Sequence, residues 1–169
     1  MRRLGFIGRK AIPSPYSSYY HIGGSIGTPV HVSALTQTDA SFWLKQRLTS
    51  LGILMYLPDS TIIEKSKILY TPQCSTEAEW EAVRFGLEET LEQGATNICL
   101  ENDNFSVVET LIDKAQRRTD YSYENYEKIK LLCKHAQYVG IRWIPRELNL
   151  ADGVARNSSN IELERALRK

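Results

Sequence analysis

The sequence predicts an α/β domain: a mixed five-stranded sheet in the order βββαβααβα, with helices on both faces. Three observations carry this. Between residues 32 and 70, three runs with β-type patterning follow one another across short turns, as an antiparallel meander does. After Ser75 the apolar period changes to 3.6, and helical and strand patterns then alternate, as parallel additions to a sheet require. The chain has 169 residues, 42% apolar and 24% charged, enough for one domain with a sizeable core.

Val32 to Asp39 is the first predicted strand and Leu51 to Leu57 the second. Pro58-Asp59-Ser60 then turns the chain into a third, Thr61 to Tyr70. A helix follows, with Ser75 or Thr76 as N-cap and a glutamate in its first turn, and it stops near Gly94. On the helical period Glu79, Ala82, Val83, Gly86, Leu87 and Thr90 share one face, while Glu77, Glu81, Arg84, Glu88 and Glu92 share the other. Glu79 thus points inward, where a carboxylate is costly unless a cation meets it. Trp80, beside it, either flanks a groove or packs.

Thr96 to Glu101 is the fourth strand. A helix from Asn104 buries Phe105, Val108, Leu111, Ile112 and Ala115, and another from about Ser122 buries Tyr126, Ile129, Cys133 and Ala136. Val139 to Ile144 is the fifth strand, with Trp143 in the core. Pro145 ends it, and a last helix begins near Ala151.

Residues 1–30, rich in Gly, Pro, Ser and Tyr, have no sustained period and are set apart from a domain at 31–169. The net charge of +1 divides into +4 over residues 1–38 and −3 over the remainder. This first stretch reads as a flexible leader, as a basic arm along nucleic acid, or as an acid-poor organelle-targeting segment. Cys74, Cys99 and Cys133 are odd in number and lack CxxC spacing, which points to a reducing, cytoplasmic setting without disulfides or zinc. No apolar run approaches the length of a membrane span. A monomer is the default expectation.

Acids close or open several elements. Asp39 ends the first strand in Thr38-Asp39-Ala40-Ser41, Asp103 follows the fourth in Glu101-Asn102-Asp103-Asn104, and Asp152 opens the last helix. Singly, each has an ordinary explanation as a cap or turn residue. Together with an inward Glu79 they form a set.

The ordered strings Thr-Asp39-Ala-Ser, Glu77-Ala-Glu79-Trp-Glu-Ala, the strand-end Asp103 and Asn149-Leu-Ala-Asp152-Gly-Val-Ala-Arg156 resemble the type 1 ribonuclease H family over about residues 34–157. The resemblance implies a ribonuclease H-like fold with Asp39, Glu79, Asp103 and Asp152 as catalytic, metal-binding carboxylates. Glu79 is the position the helical period had already selected. It further implies hydrolysis of the RNA strand of an RNA–DNA hybrid, leaving 5′-phosphate and 3′-hydroxyl ends. Two Mg²⁺ ions, or Mn²⁺ in their place, would clamp the attacking and leaving oxygens. The chemistry agrees: two like charges about 4 Å apart repel by roughly 4 kcal/mol at an effective dielectric near 20, so four clustered carboxylates need hard cations.

The sequence departs from the family in four places. The loop 145–150 carries no His, leaving Arg146 or Glu147 there, while His21, His31 and His135 lie elsewhere. The stretch after Asp39 reads Phe42-Trp-Leu-Lys-Gln-Arg-Leu48, where Lys45 and Arg47 would meet phosphates and Trp43 either stacks or packs. Ser75 and Thr76 stand where Asn residues often touch 2′-hydroxyls. In place of a basic protrusion there are Lys114, Arg117 and Arg118, followed by Tyr121 and Tyr123, read as a backbone-contacting patch or a solvated helix end. Ser41 and Asn104, beside the first and third acids, complete the candidate substrate-binding set. A module that binds nucleic acid or protein without cutting is the alternative, as is a related nuclease with another substrate.

Overall fold

The computed structural model describes residues 19–29, 31–72, 74–113 and 120–168. Among the described residues six strands form one sheet: β1 (Tyr20–Gly23), β2 (Ala34–Trp43), β3 (Leu48–Tyr56), β4 (Ile62–Leu69), β5 (Asn97–Asn102) and β6 (Tyr138–Trp143). Their spatial order is β1-β6-β5-β2-β3-β4. β2–β3–β4 is the expected antiparallel meander; β5 and β6 add parallel to β2, and β1 pairs antiparallel with β6. The expected count of five strands is therefore corrected to six among the described residues. The sixth strand lies within residues 1–30, so part of the predicted leader is an edge of the same sheet. Four residues, with Tyr20 and His21 exposed, are too short to show a period. Residues 1–18 lie outside the described residues.

The helices are α1 (Ser75–Glu92), α2 (Phe105–Ile112), α3 (Asp120–Cys133) and α4 (Ala151–Leu167). One core forms where α1, α2 and α3 cover one face of the sheet: Trp80, Val83, Leu87, Val108, Leu111 and Ile129 meet Ala34, Ile98, Leu100 and Ile141. α4 covers β2 and β3 on the opposite face. None of the described helices is long and apolar enough to cross a membrane.

Two local expectations change and one open alternative is decided. Helix α1 begins at Ser75 after Cys74, with no side-chain cap, so neither Ser75 nor Thr76 caps it. Of the two readings left open for Trp80, packing holds: it is core, at 1% exposure. Phe105 and Trp143, both expected inside, are 60% and 42% exposed. Helix α1 does end as expected, with Gly94 just past it at a φ of 82°.

Two glycines set how closely helix and sheet approach. A Cβ on Gly86 of α1 would lie 2.3 Å from Thr38 Cγ2. The next turn is fastened by the Thr36 and Thr90 hydroxyls, 2.7 Å apart, and by Thr90 Oγ1 donating to the Gly86 carbonyl at 2.6 Å. On the other face, a Cβ on Gly52 of β3 would sit 2.4 Å from the Ala155 backbone nitrogen of α4 and 2.8 Å from the Ala151 carbonyl. Backbone cannot yield as a side-chain tip can. Gly52→Ala is expected to cost about 2–3 kcal/mol of stability, read from the urea unfolding midpoint.

Candidate metal centre

The site forms where the sheet is notched. Parallel pairing of β2 with β5 ends at Thr38 opposite Asn102, while β2 runs on beside β3 to Trp43. Asp39 is the first β2 residue past the notch and Asp103 the first residue after β5. Asp39 lies opposite Gly52, so it belongs to the face that α4 covers. Glu79 comes from the other face, on the second turn of α1, whose distance from β2 is set by Gly86.

Carboxylate oxygens of Asp39, Glu79 and Asp103 all lie within 4.8 Å of one another. Asp152, in the first turn of α4, reaches the trio through a side-chain hydrogen bond with Asp39. Asp152 also pairs with Arg156, one turn along α4, and with Arg146 at 4.0 Å. All four predicted carboxylates are thus brought together, three tightly and the fourth one hydrogen bond away.

The electrostatics follow from burial of like charges. Asp39, only 4% exposed, has its carboxyl pushed up to about 7, first by desolvation and then by the Asp103 charge and its hydrogen bond to Asp152. Glu79 is raised well above the usual range by burial, then by the Asp39 and Asp103 charges and its hydrogen bond with Asp39. Burial raises Asp103 as well, against a hydrogen bond from Asn149 and the nearby Arg146. A group of oxygens that holds protons so far above the ordinary carboxylate range is one that a hard divalent cation would relieve. The donor set fits such an ion.

Two asparagines outside the predicted set brace these acids. Asn102 Nδ2 donates to the Thr38 carbonyl and hydroxyl at 3.0 Å and to Glu79 Oε1 at 3.4 Å, and its Oδ1 accepts from the Asn104 N–H. Asn149 Nδ2 donates to the same Thr38 carbonyl at 2.9 Å. Asn149 belonged to the last motif string; Asn102 carried no signal beyond standing next to Asp103.

The other predicted residues scatter. Asn104 is the N-cap of α2, its Oδ1 accepting from the Val107 N–H, so a structural duty occupies it. Ser41 accepts from Trp43 Nε1 at 3.1 Å and lies 3.3 Å from the Ser159 hydroxyl. Lys45 and Arg47 sit exposed in the β2–β3 turn, beyond a strand end that lies about 13 Å from Asp39 at 3.3 Å per residue. Ser75 is exposed and Thr76 half-buried, one turn or less from Glu79 on α1. Arg146 is 75% exposed in the short 3₁₀ turn Arg146–Leu148 beside the acids. Arg117 and Arg118, with Lys114, lie outside the described residues.

One feature that sequence reasoning missed borders the cluster. Trp143 Nε1 donates to the Asp103 carbonyl at 2.9 Å, and the Phe105 ring meets the indole edge-on with centroids 6.3 Å apart. Both positions satisfy core-type patterning; their exposure comes from the notch, where no described residue covers these two side chains.

Residues 37–158 match the reverse transcriptase-like family. No curated protein is significantly similar in sequence. Among solved structures, the N-terminal RNase H domain of Rv2228c from Mycobacterium tuberculosis is 19% identical, with 80% of this chain and 99% of that one covered at a TM-score of 0.71. RNase H1 of the halophilic archaeon Halobacterium salinarum is 19% identical, with coverages of 75% and 97% and a TM-score of 0.69. LC11-RNase H1, solved in complex with an RNA/DNA hybrid, is 18% identical, with coverages of 72% and 92% and a TM-score of 0.64. At these identities the likeness is one of fold. With the family match spanning most of the chain, it follows that this protein belongs to the reverse transcriptase-like family and has a ribonuclease H-like fold.

Proposed function

We propose that this domain is a divalent-metal-dependent nuclease that hydrolyses the RNA strand of RNA–DNA hybrids, leaving 5′-phosphate and 3′-hydroxyl ends. The observation that carries the proposal is the trio Asp39, Glu79 and Asp103, whose oxygens lie within 4.8 Å and whose carboxyls are all raised. A fold has little reason to hold such repulsion unless a cation completes it.

Asp39 and Asp103 would ligate two Mg²⁺ ions in common, with Glu79 serving one and Asp152 the other. Bound there, the ions would supply an activated water and charge stabilisation for the departing oxygen. The chain's own residues do the rest. Asn102 and Asn149 hold Glu79 and Asp103 in place from the same Thr38 carbonyl. Arg146 stands exposed beside Asp152 and Asp103, where a phosphate would arrive, and supplies positive charge in a loop without His. Trp143 and Phe105 form an apolar edge next to Asp103 suited to a sugar or base.

The test is cleavage of a labelled hybrid, a DNA duplex and an RNA duplex in Mg²⁺, each repeated in EDTA. Cutting confined to the hybrid's RNA strand and lost in EDTA is expected. Hybrid binding without cutting in either Mg²⁺ or Mn²⁺ would assign a binding module instead. Trp143→Ala is expected to weaken hybrid binding about tenfold in EDTA, one stacked base's worth, measured by fluorescence anisotropy. An unchanged affinity would remove Trp143 from the groove.

A further inference from the structure

Helix α4 covers only part of its face of the sheet, yet Glu101 on the uncovered β5 has no exposed surface. The register places Gln37 of β2, Glu101 of β5 and Arg142 of β6 in a row across that face. Glu101 receives hydrogen bonds from Gln37 Nε2 at 3.0 Å, Arg142 Nη2 at 2.5 Å and the Tyr19 hydroxyl at 2.7 Å. The Arg142 guanidinium also lies 4.6 Å over the Tyr19 ring. Tyr19 comes from just before β1 and closes this end of the sheet with Val32, Leu35, Cys99 and Tyr138.

Gln37 is where this row meets the site. Its Nε2 also donates to the Leu148 carbonyl at 3.2 Å, and its Oε1 accepts from the Leu150 N–H at 3.1 Å. Those two bonds grip the chain on either side of Asn149, directly before the helix that carries Asp152. The bond to Glu101 fixes which end of the amide is the donor, so the side chain cannot flip. Gln37 is two residues before Asp39 on the same strand face, so one strand presents Asp39 and also anchors the loop that brings Asp152 to it.

We propose that Gln37 is a positioning residue that sets the separation of Asp152 and Arg146 from Asp39, and that Tyr19, through Glu101 and Arg142, holds Gln37 in register. The N-terminal segment is then part of the site's support. This rests on the reading of the carboxylates as a metal centre.

The test compares wild type with Gln37→Leu, which removes both grips on the loop, and Tyr19→Phe, which removes only the hydroxyl and keeps the ring under Arg142. Val83→Ala, a core change away from the loop, serves as a stability control. Mn²⁺ affinity by titration calorimetry without nucleic acid is the deciding readout, joined by kcat and KM on hybrid. Gln37→Leu is expected to raise the metal dissociation constant about tenfold, the range seen when groups that orient metal ligands are lost, and to lower kcat with little change in KM. Tyr19→Phe should move the same quantities in the same direction, about threefold. Val83→Ala should lower the melting temperature and move neither. Metal affinity in both variants equal to wild type would overturn the proposal. Should Gln37→Leu not fold, Tyr19→Phe decides by the same criterion. A wild type that binds Mn²⁺ but cuts nothing would sink the nuclease reading, while the affinity comparison would still decide this one.

Discussion

Asp103→Asn is expected to abolish the proposed cleavage of the hybrid's RNA strand, by roughly a thousandfold or more in kcat, which corresponds to about 4 kcal/mol of lost transition-state stabilisation. The reason is charge. The substitution keeps the shape, and an amide oxygen can still accept from Asn149, but one of the three closely set anions is gone. The Trp143 contact survives, because it is made to the Asp103 backbone carbonyl. In EDTA the same variant is expected to melt a few degrees above wild type, since Asp103 raises both Asp39 and Glu79 by repulsion. Single-turnover cleavage and a thermal melt on one preparation check both halves. Retained cleavage would remove Asp103 from the chemistry, and a lowered melting temperature would contradict the repulsion.

The second large effect is in pH. Asp39 has its carboxyl raised from an ordinary 3.8 to about 7, chiefly by burial. Between those values the folded state holds a proton that the unfolded chain has released. Stability in EDTA is therefore fully present below about pH 4, falls as pH rises, and has lost its whole share just above pH 7. The share is of the order of 2–4 kcal/mol. Glu79 and Asp103 act with the same sign. Urea midpoints from pH 5 to 8 should show wild type losing stability relative to Asp39→Asn, which cannot ionise there. Saturating Mg²⁺ should flatten the wild-type curve, because the cation favours the charged carboxylates. Parallel curves for the two proteins in EDTA would show that Asp39 ionises normally.

Much of this architecture is legible in the sequence because strong periods coincide with tertiary burial. The face of α1 from Glu79 through Thr90 was readable since five of its six residues are apolar or small, and the sixth is the anomaly. The meander was readable since β2, β3 and β4 are long and joined by short turns. What escaped depends on what is absent around a residue. Trp143 and Phe105 look like core until β5 is seen to stop at Asn102, which leaves both side chains exposed among the described residues. Tyr19 and β1 gain meaning only from β6, a partner distant in sequence. Gln37 and Glu101 offered one signal: a polar side chain inside a strand of the sheet's centre needs a partner. Local pattern cannot say which.

The pairing of β1 with β6 also orders events at the ribosome. The meander can close as soon as residue 69 has emerged, since its contacts are between neighbours in the chain. β1 is made before any of it, yet its partner is the last strand to appear, so Tyr19 and the edge it caps must wait for residue 143. Asp152 arrives later still. A nascent chain thus carries Asp39 long before the helix and the edge that complete its surroundings exist. The trio of Asp39, Glu79 and Asp103 is therefore in place along the chain well before the fourth carboxylate and the edge strand can join it.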